Sequence, residues 1–196
     1  MNASIEKYLK LYNLLQLSGW LLALLSLPFN FFFSFYTILV FQVLSLLEIY
    51  HAYKKWNNSS PFLCFIQIGA RLFILFFSIL IIFVTFLKPI PYFSEVVYVM
   101  FASWCIAEII RYVYYVALSF KQKNKIITWL RYSAFIICYP VGLTCEFFVM
   151  FNVFKYNDFV AVKILMLVAA IAYFIFFPKL FKHLLKQREL KLHTTY

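Results

Sequence analysis

Apolar residues in this chain run in long unbroken blocks, with polar residues gathered between the blocks instead of alternating with them. The blocks fall at about residues 11–27, 31–47, 62–87, 96–120, 132–154 and 159–177. A helix needs about 20 apolar residues to cross the hydrocarbon core of a bilayer, so each block predicts a membrane span. The links between them are too short to hold a soluble domain. Residues 1–196 are therefore expected to form a single all-α domain, a polytopic membrane bundle of six transmembrane helices. The first block is read as a retained span, because Glu6 precedes it and no small-residue cleavage site follows.

Composition agrees with that pattern: 65% of the residues are hydrophobic and 13% are charged, a balance far from that of a soluble domain. The formal net charge of +11 could suggest a nucleic-acid partner, but the basic residues do not form one patch. Lys7 and Lys10 precede the first block, and Lys54 and Lys55 follow the second. Lys121, Lys123, Lys125 and Arg131 border the fifth, and Lys179, Lys182, Lys186, Arg188 and Lys191 follow the sixth. Across the bundle there are only Lys88, Lys155 and Lys163. Under the positive-inside rule the rich side is cytosolic, and an even number of spans puts both termini there. The charge thus predicts topology and contact with the lipid bilayer, and no nucleic acid.

Ionisable groups at membrane depth cost roughly 2.5 to 3.5 kcal/mol each to insert, so those present are candidates for function. Glu108 and Arg111 are three apart and can pair on one helix face as a structural brace. Arg71, ten residues into the third block and so about 15 Å deep at helical rise, needs a partner from another helix; Glu48 matches it in depth. His51 is expected to be a hydrogen-bonded residue near the headgroups. Glu146 has no basic residue within two helical turns, so it is either paired across helices or protonated. Tyr139 lies two turns earlier on nearly the same face, about 10.5 Å along the axis. Pro140 and Gly142 between them can kink the helix and open a cavity. On the residues alone, Tyr139 and Glu146 are either a reactive pair or satisfied packing groups.

Absent chemistry narrows the reactions. The three histidines, 51, 183 and 193, do not cluster, which disfavours di-iron oxygen chemistry and histidine-box condensation. Cys64, Cys105, Cys138 and Cys145 fall inside predicted spans without metal or redox spacing, and are read as buried free thiols. Neither a nucleophile elbow nor a phosphate-cradling glycine loop occurs. Cys64 and Arg71 are one residue too far apart, within a helix, for a phosphatase loop. What remains is chemistry without a metal or cofactor, using Tyr, Glu, His or Arg, or no chemistry at all.

Several segments taken together resemble the membrane 3-hydroxyacyl-CoA dehydratases of very-long-chain fatty acid elongation, also called protein tyrosine phosphatase-like proteins. The likeness lies in Tyr8 to Asn13 with Gly19 and Trp20, in Leu47 to His51, in Glu108 to Tyr115, in Thr128 to Tyr132 running on to Tyr139, Pro140 and Glu146, and in Pro178 with Gln187 and Arg188. The chain departs from the usual pattern after His51, where it lacks a glycine-containing turn, and at Ala70, where a serine is usual. The resemblance implies a six-span enzyme of the endoplasmic reticulum membrane that eliminates water from a (3R)-3-hydroxyacyl-CoA to give the trans-2-enoyl-CoA, the third step of the elongation cycle. It implies that Tyr139 and Glu146 carry catalysis, in either order of acid and base. Elongation partners, a condensing enzyme and reductases, are implied with it. The CoA phosphates are expected at the basic rim, at Arg111, Arg131, Lys54, Lys55, Lys121, Lys123 or Lys125. The competing reading is a non-enzymatic scaffold in a lipid-synthesis complex.

Overall fold

The computed structural model describes residues 2–57, 59–87, 90–122 and 124–193; Lys88 and Lys123 lie outside them. Eight helices follow in order among the described residues: α1 (Ala3–Ser26), α2 (Phe31–Leu44), α3 (Leu47–Tyr53), α4 (Pro61–Leu87), α5 (Phe93–Ser119), α6 (Lys125–Ser133), α7 (Phe135–Tyr156) and α8 (Val160–His193). Two junctions are short interruptions in longer rods. Residues 45 and 46 form a turn between α2 and α3, and Ala134 separates α6 from α7.

Side-chain caps set several of the starts. Asn30 accepts from the Phe33 amide at 3.0 Å, and Asn124 accepts from the Ile126 and Ile127 amides at 2.8 and 3.2 Å. These bonds satisfy donors that a helix N-terminus otherwise leaves orphaned. At the other end, α3 and α5 both close on a left-handed lysine, Lys55 and Lys121, each with φ 55°. The Trp56 amide bonds the His51 carbonyl at 2.8 Å and the Gln122 amide bonds the Ala117 carbonyl at 2.9 Å. This is the Schellman closure, which usually takes glycine at the left-handed position.

Five stretches are long and apolar enough to cross a membrane: Phe31–Tyr53, Pro61–Ile82, Phe93–Ser119, Lys125–Tyr156 and Val160–Leu192. The first of the six expected spans is not among them, since Asn13, Gln16 and Ser18 dilute the apolar run of α1. Gln16 is nonetheless fully buried. Its amide donates to the Tyr12 hydroxyl at 3.0 Å and accepts from Trp20 Nε1 at 3.2 Å. The polarity of α1 is thus directed into the protein, as buried polar groups require.

The core forms around α5, which lies between α1 and α7. Trp20, Val97, Met100, Phe101, Tyr112 and Val149 are fully enclosed. Gly19 lets α1 close on α2, because a β-carbon there would collide with the Phe41 ring. In contrast, α8 packs chiefly on α6 and α7 and turns large apolar side chains such as Leu167, Ile171 and Phe174 outward. Such an exposed apolar face suits lipid and not water.

Pro140 does not break α7, which runs through it. The interruption falls instead at Ala134, two residues before Ile136, whose carbonyl the proline ring opposes. The helix thus accommodates the proline without the expected break.

Candidate active site

Four helices, α4, α5, α7 and α8, enclose a cavity of about 370 Å³, with α6 and the end of α2 completing its wall. Along α8 its lining extends from Ala172 to Leu184, about 18 Å at helical rise. One end is cationic, with Arg111 and Arg131. The other holds Glu146 and Tyr173, and apolar side chains such as Phe176, Phe177 and Leu180 line the length between them.

Tyr139 and Glu146 both line this cavity. Their two-turn spacing on α7 puts both on the face turned to α8. Tyr139 stacks on Phe177 of α8, with ring centroids 5.1 Å apart and planes 16° from parallel. Glu146 is buried and accepts a hydrogen bond from Trp104 Nε1 of α5 at 3.0 Å. The Tyr173 hydroxyl, on α8 one turn before Phe177, lies beside the same carboxyl group. Tyr139, Glu146, Tyr173 and Arg71 are all within electrostatic reach of one another.

Gly142 makes the contact between Trp104 and Glu146 possible. A β-carbon on it would come within 3.2 Å of Ser103 Oγ and 3.4 Å of Trp104 Nε1. Small residues serve this purpose where membrane helices approach closely. A Gly142→Val substitution is expected to push α5 from α7, loosen the Trp104 bond, and cost at least about tenfold in turnover, since small misplacements in a site can cost about a hundredfold. Turnover at the native rate with a folded variant would show that this spacing is unimportant.

The remaining buried charges form one network. Arg71 of α4 pairs with Glu108 of α5, which also meets Arg111 at 2.6 Å one turn on. Arg111 forks onto Glu48 of α3, with nitrogen–oxygen distances of 2.6 and 2.8 Å. Tyr112 donates its hydroxyl to the same carboxylate. The Glu108–Arg111 brace is therefore formed, whereas the depth-matched pairing of Arg71 with Glu48 is not: Glu48 belongs to Arg111 and Arg71 to Glu108. Depth fixes the height of a group but not the side of the helix it faces. Two carboxylates and two guanidinia leave the set neutral, as buried charges require. The Arg71 guanidinium also lies 5.3 Å from the Trp104 ring centroid, so the network touches the residue that holds Glu146.

Of the cations expected to meet CoA, Arg111 and Arg131 line the cavity. Lys54, Lys55, Lys121 and Lys125 do not. Lys54 lies over the Tyr50 and Tyr53 rings, at 5.7 and 6.0 Å. His51 is buried away from the cavity, bonded to the Tyr8 hydroxyl at 2.9 Å and stacked on Trp56.

Trp104 and Tyr173 were not singled out by sequence reasoning. For Trp104 a signal existed: it is four residues before Glu108, on the same helical face. Tyr173 carries no comparable mark in a chain with 15 tyrosines.

The family model described as "Protein tyrosine phosphatase-like protein, PTPLA" matches residues 42–194. Among curated proteins, the chain is 28% identical to very-long-chain (3R)-3-hydroxyacyl-CoA dehydratase 1 of Mus musculus, over 95% of this chain and 73% of that protein. It is 31% identical to a probable very-long-chain (3R)-3-hydroxyacyl-CoA dehydratase of Schizosaccharomyces pombe, over 72% of this chain and 70% of that one. Against very-long-chain (3R)-3-hydroxyacyl-CoA dehydratase hpo-8 of Caenorhabditis elegans the identity is 27%, over 95% and 94%. No solved structure matches the chain.

Proposed function

Because the chain belongs to the protein tyrosine phosphatase-like, PTPLA, family, we propose that the cavity against α7 is where water leaves a 3-hydroxyacyl thioester. The protein is a hydro-lyase of fatty acid elongation, converting a very-long-chain (3R)-3-hydroxyacyl-CoA to the trans-2-enoyl-CoA. The observation that carries the assignment to this cavity is the joint exposure of Tyr139 and Glu146 to one enclosed space, with the Glu146 carboxyl held by Trp104.

The elimination needs a base at C2 and an acid at C3, because hydroxide is a poor leaving group. Glu146 takes the C2 proton, and the C–H electron pair becomes the new double bond. The C3–O bond breaks as Tyr139 gives its phenolic proton to the departing hydroxyl, which leaves as water. The proton on Glu146 then restores the phenol, so the site ends as it began. The Trp104 bond fixes one carboxyl oxygen and so sets the orientation of the group towards the substrate.

The cationic end at Arg111 and Arg131 receives the CoA side of the substrate, with Lys54, Lys55, Lys121 and Lys125 as a diffuse basic rim. Guanidinium groups suit phosphate recognition for their planar, multiple donors. Six spans with both termini cytosolic follow if α1 crosses the membrane with the other five rods. The buried polar stripe of α1 and the lysine asymmetry support that count. The same reading puts the enzyme in the endoplasmic reticulum membrane, beside a condensing enzyme and reductases that supply its substrate and take its product.

The test is conversion by purified protein in lipid nanodiscs. The (3R)-3-hydroxyacyl-CoA is expected to give the conjugated enoyl thioester, followed by its ultraviolet absorbance, while the (3S) epimer is not turned over. No enoyl product from either epimer would retire the assignment and leave a scaffold role.

A further inference from the structure

Two proton-handling groups do not complete this reaction. As the C2 proton leaves, negative charge develops on the thioester carbonyl oxygen, and an unstabilised enolate-like oxygen in an apolar cavity is costly. Preorganised donors at such an oxygen are commonly the largest single contribution to catalysis. The donors near Glu146 are mostly engaged. Trp104 Nε1 bonds the Glu146 carboxyl, Arg71 is paired with Glu108, and Ser103 donates to the Met100 carbonyl at 2.8 Å. The other serine of the lining, Ser45, donates to the Phe41 carbonyl at 2.9 Å.

Tyr173 differs from all of these. Its hydroxyl oxygen is buried in the cavity wall and makes no hydrogen bond of good geometry; its polar neighbour is the Glu146 carboxyl group, close enough to attract its proton. A buried hydroxyl whose bond is poorly formed contributes little to the stability of the folded protein. It is retained at a place where a substrate carbonyl would complete it. The carbonyl carbon is bonded directly to C2, so a donor adjacent to the C2 base is adjacent to that oxygen too. The ring meets Phe147 of α7 edge-on at 5.8 Å.

We infer that the Tyr173 hydroxyl binds the thioester carbonyl oxygen of the substrate and stabilises the charge that gathers there as Glu146 removes the C2 proton. Tyr173 is then a third catalytic residue, supplied by α8, while Tyr139 and Glu146 both come from α7. The inference rests on the dehydratase reading of the cavity. No additional reactant is required: Tyr173 keeps its proton throughout and only donates a hydrogen bond.

Tyr173→Phe isolates the hydroxyl, since the ring and its contacts stay. Because the hydroxyl makes no well-formed bond in the free protein, the thermal midpoint in nanodiscs is expected to change little. Turnover should fall by about a hundredfold or more, the usual loss when one oxyanion donor is deleted, with a smaller change in KM. The spectroscopic readout is the carbonyl stretch of bound trans-2-enoyl-CoA labelled with ¹³C at the thioester carbon. In the native enzyme the band should lie at lower frequency than in water, and Tyr173→Phe should move it back up; Tyr139→Phe should leave it in place. If Tyr173→Phe turns over at the native rate, or if turnover falls while the carbonyl band stays put, the inference is overturned. In either case an active native enzyme leaves the dehydratase reading standing, and only an inactive native enzyme removes both.

Discussion

Glu146→Gln should fold, bind acyl-CoA, and dehydrate it about 10³- to 10⁴-fold more slowly than the native protein, the upper part of the range for loss of a general base. The substitution is conservative in every respect but one. Glutamine retains a carbonyl oxygen that can accept from Trp104 Nε1, which in the native protein bonds Glu146 at 3.0 Å. It also retains the volume of a side chain buried to within 8% of full enclosure. What it lacks is a site for the C2 proton. Tyr139→Phe removes the acid and leaves the ring stacked on Phe177, so a loss of about 10²- to 10³-fold is expected. Because the two groups serve one concerted event, the double variant should be hardly worse than Glu146→Gln alone. The measurement is single-turnover dehydration in nanodiscs with binding determined separately. A folded Glu146→Gln variant that retained even a tenth of native turnover would exclude Glu146 as the base.

The largest effect on stability is expected at Glu108. Its carboxylate lies between the Arg71 and Arg111 guanidinia, which come from different helices. Glu108→Ala leaves Arg111 with Glu48 but takes from Arg71 its one carboxylate partner among the described residues. Breaking a buried pair at one end costs about 3 to 5 kcal/mol. The lower end of that range applies here, because the Arg71 and Arg111 side chains are 23% and 19% exposed. Replacing both ends, with Arg71→Leu and Glu108→Leu together, removes the stranded charge and should recover most of the loss. Thermal unfolding in nanodiscs checks this: a double variant less stable than Glu108→Ala would show that these charges do more than neutralise each other. Turnover need not recover with stability, since Arg71 also lies over Trp104.

What the sequence could reveal depended on whether the cause was local. The rods are written in runs of apolar residues, and the Glu108–Arg111 brace in a three-residue spacing, so both were legible. Pairing between helices was not. Arg71, Glu48 and Glu108 were all visible as misplaced charges, but which faces which depends on helix rotation, and depth alone led to the wrong partner for Arg71. Pro140 announced a disturbed helix, yet α7 runs through it without a break. The α1 rod shows the opposite case: Gln16 weakens its apolar signal because its amide is already matched inside the bundle by Tyr12 and Trp20. In the site, Tyr139 and Glu146 stood out because a lone carboxyl is rare at membrane depth and because Pro140 and Gly142 lie between the two. Tyr173 and Trp104 come from other helices and belong to a residue class that makes up 23% of the chain, so only their arrangement in space separates them from packing.

The position of α8 has a kinetic consequence. This helix walls the cavity on one side yet turns most of its apolar surface outward, and the space it helps enclose, about 370 Å³, is near the lower limit for a pocket that buries a drug-sized ligand. On the proposed reading the arm of CoA and the reacting thioester take up this space, and a very long acyl chain exceeds what is left. On that reading the rest of the tail extends past the exposed apolar face of α8 into lipid. For such an enzyme the effective substrate concentration is a surface density, the number of acyl chains per lipid, and adding inert lipid slows the reaction by dilution even when the total amount of substrate is unchanged.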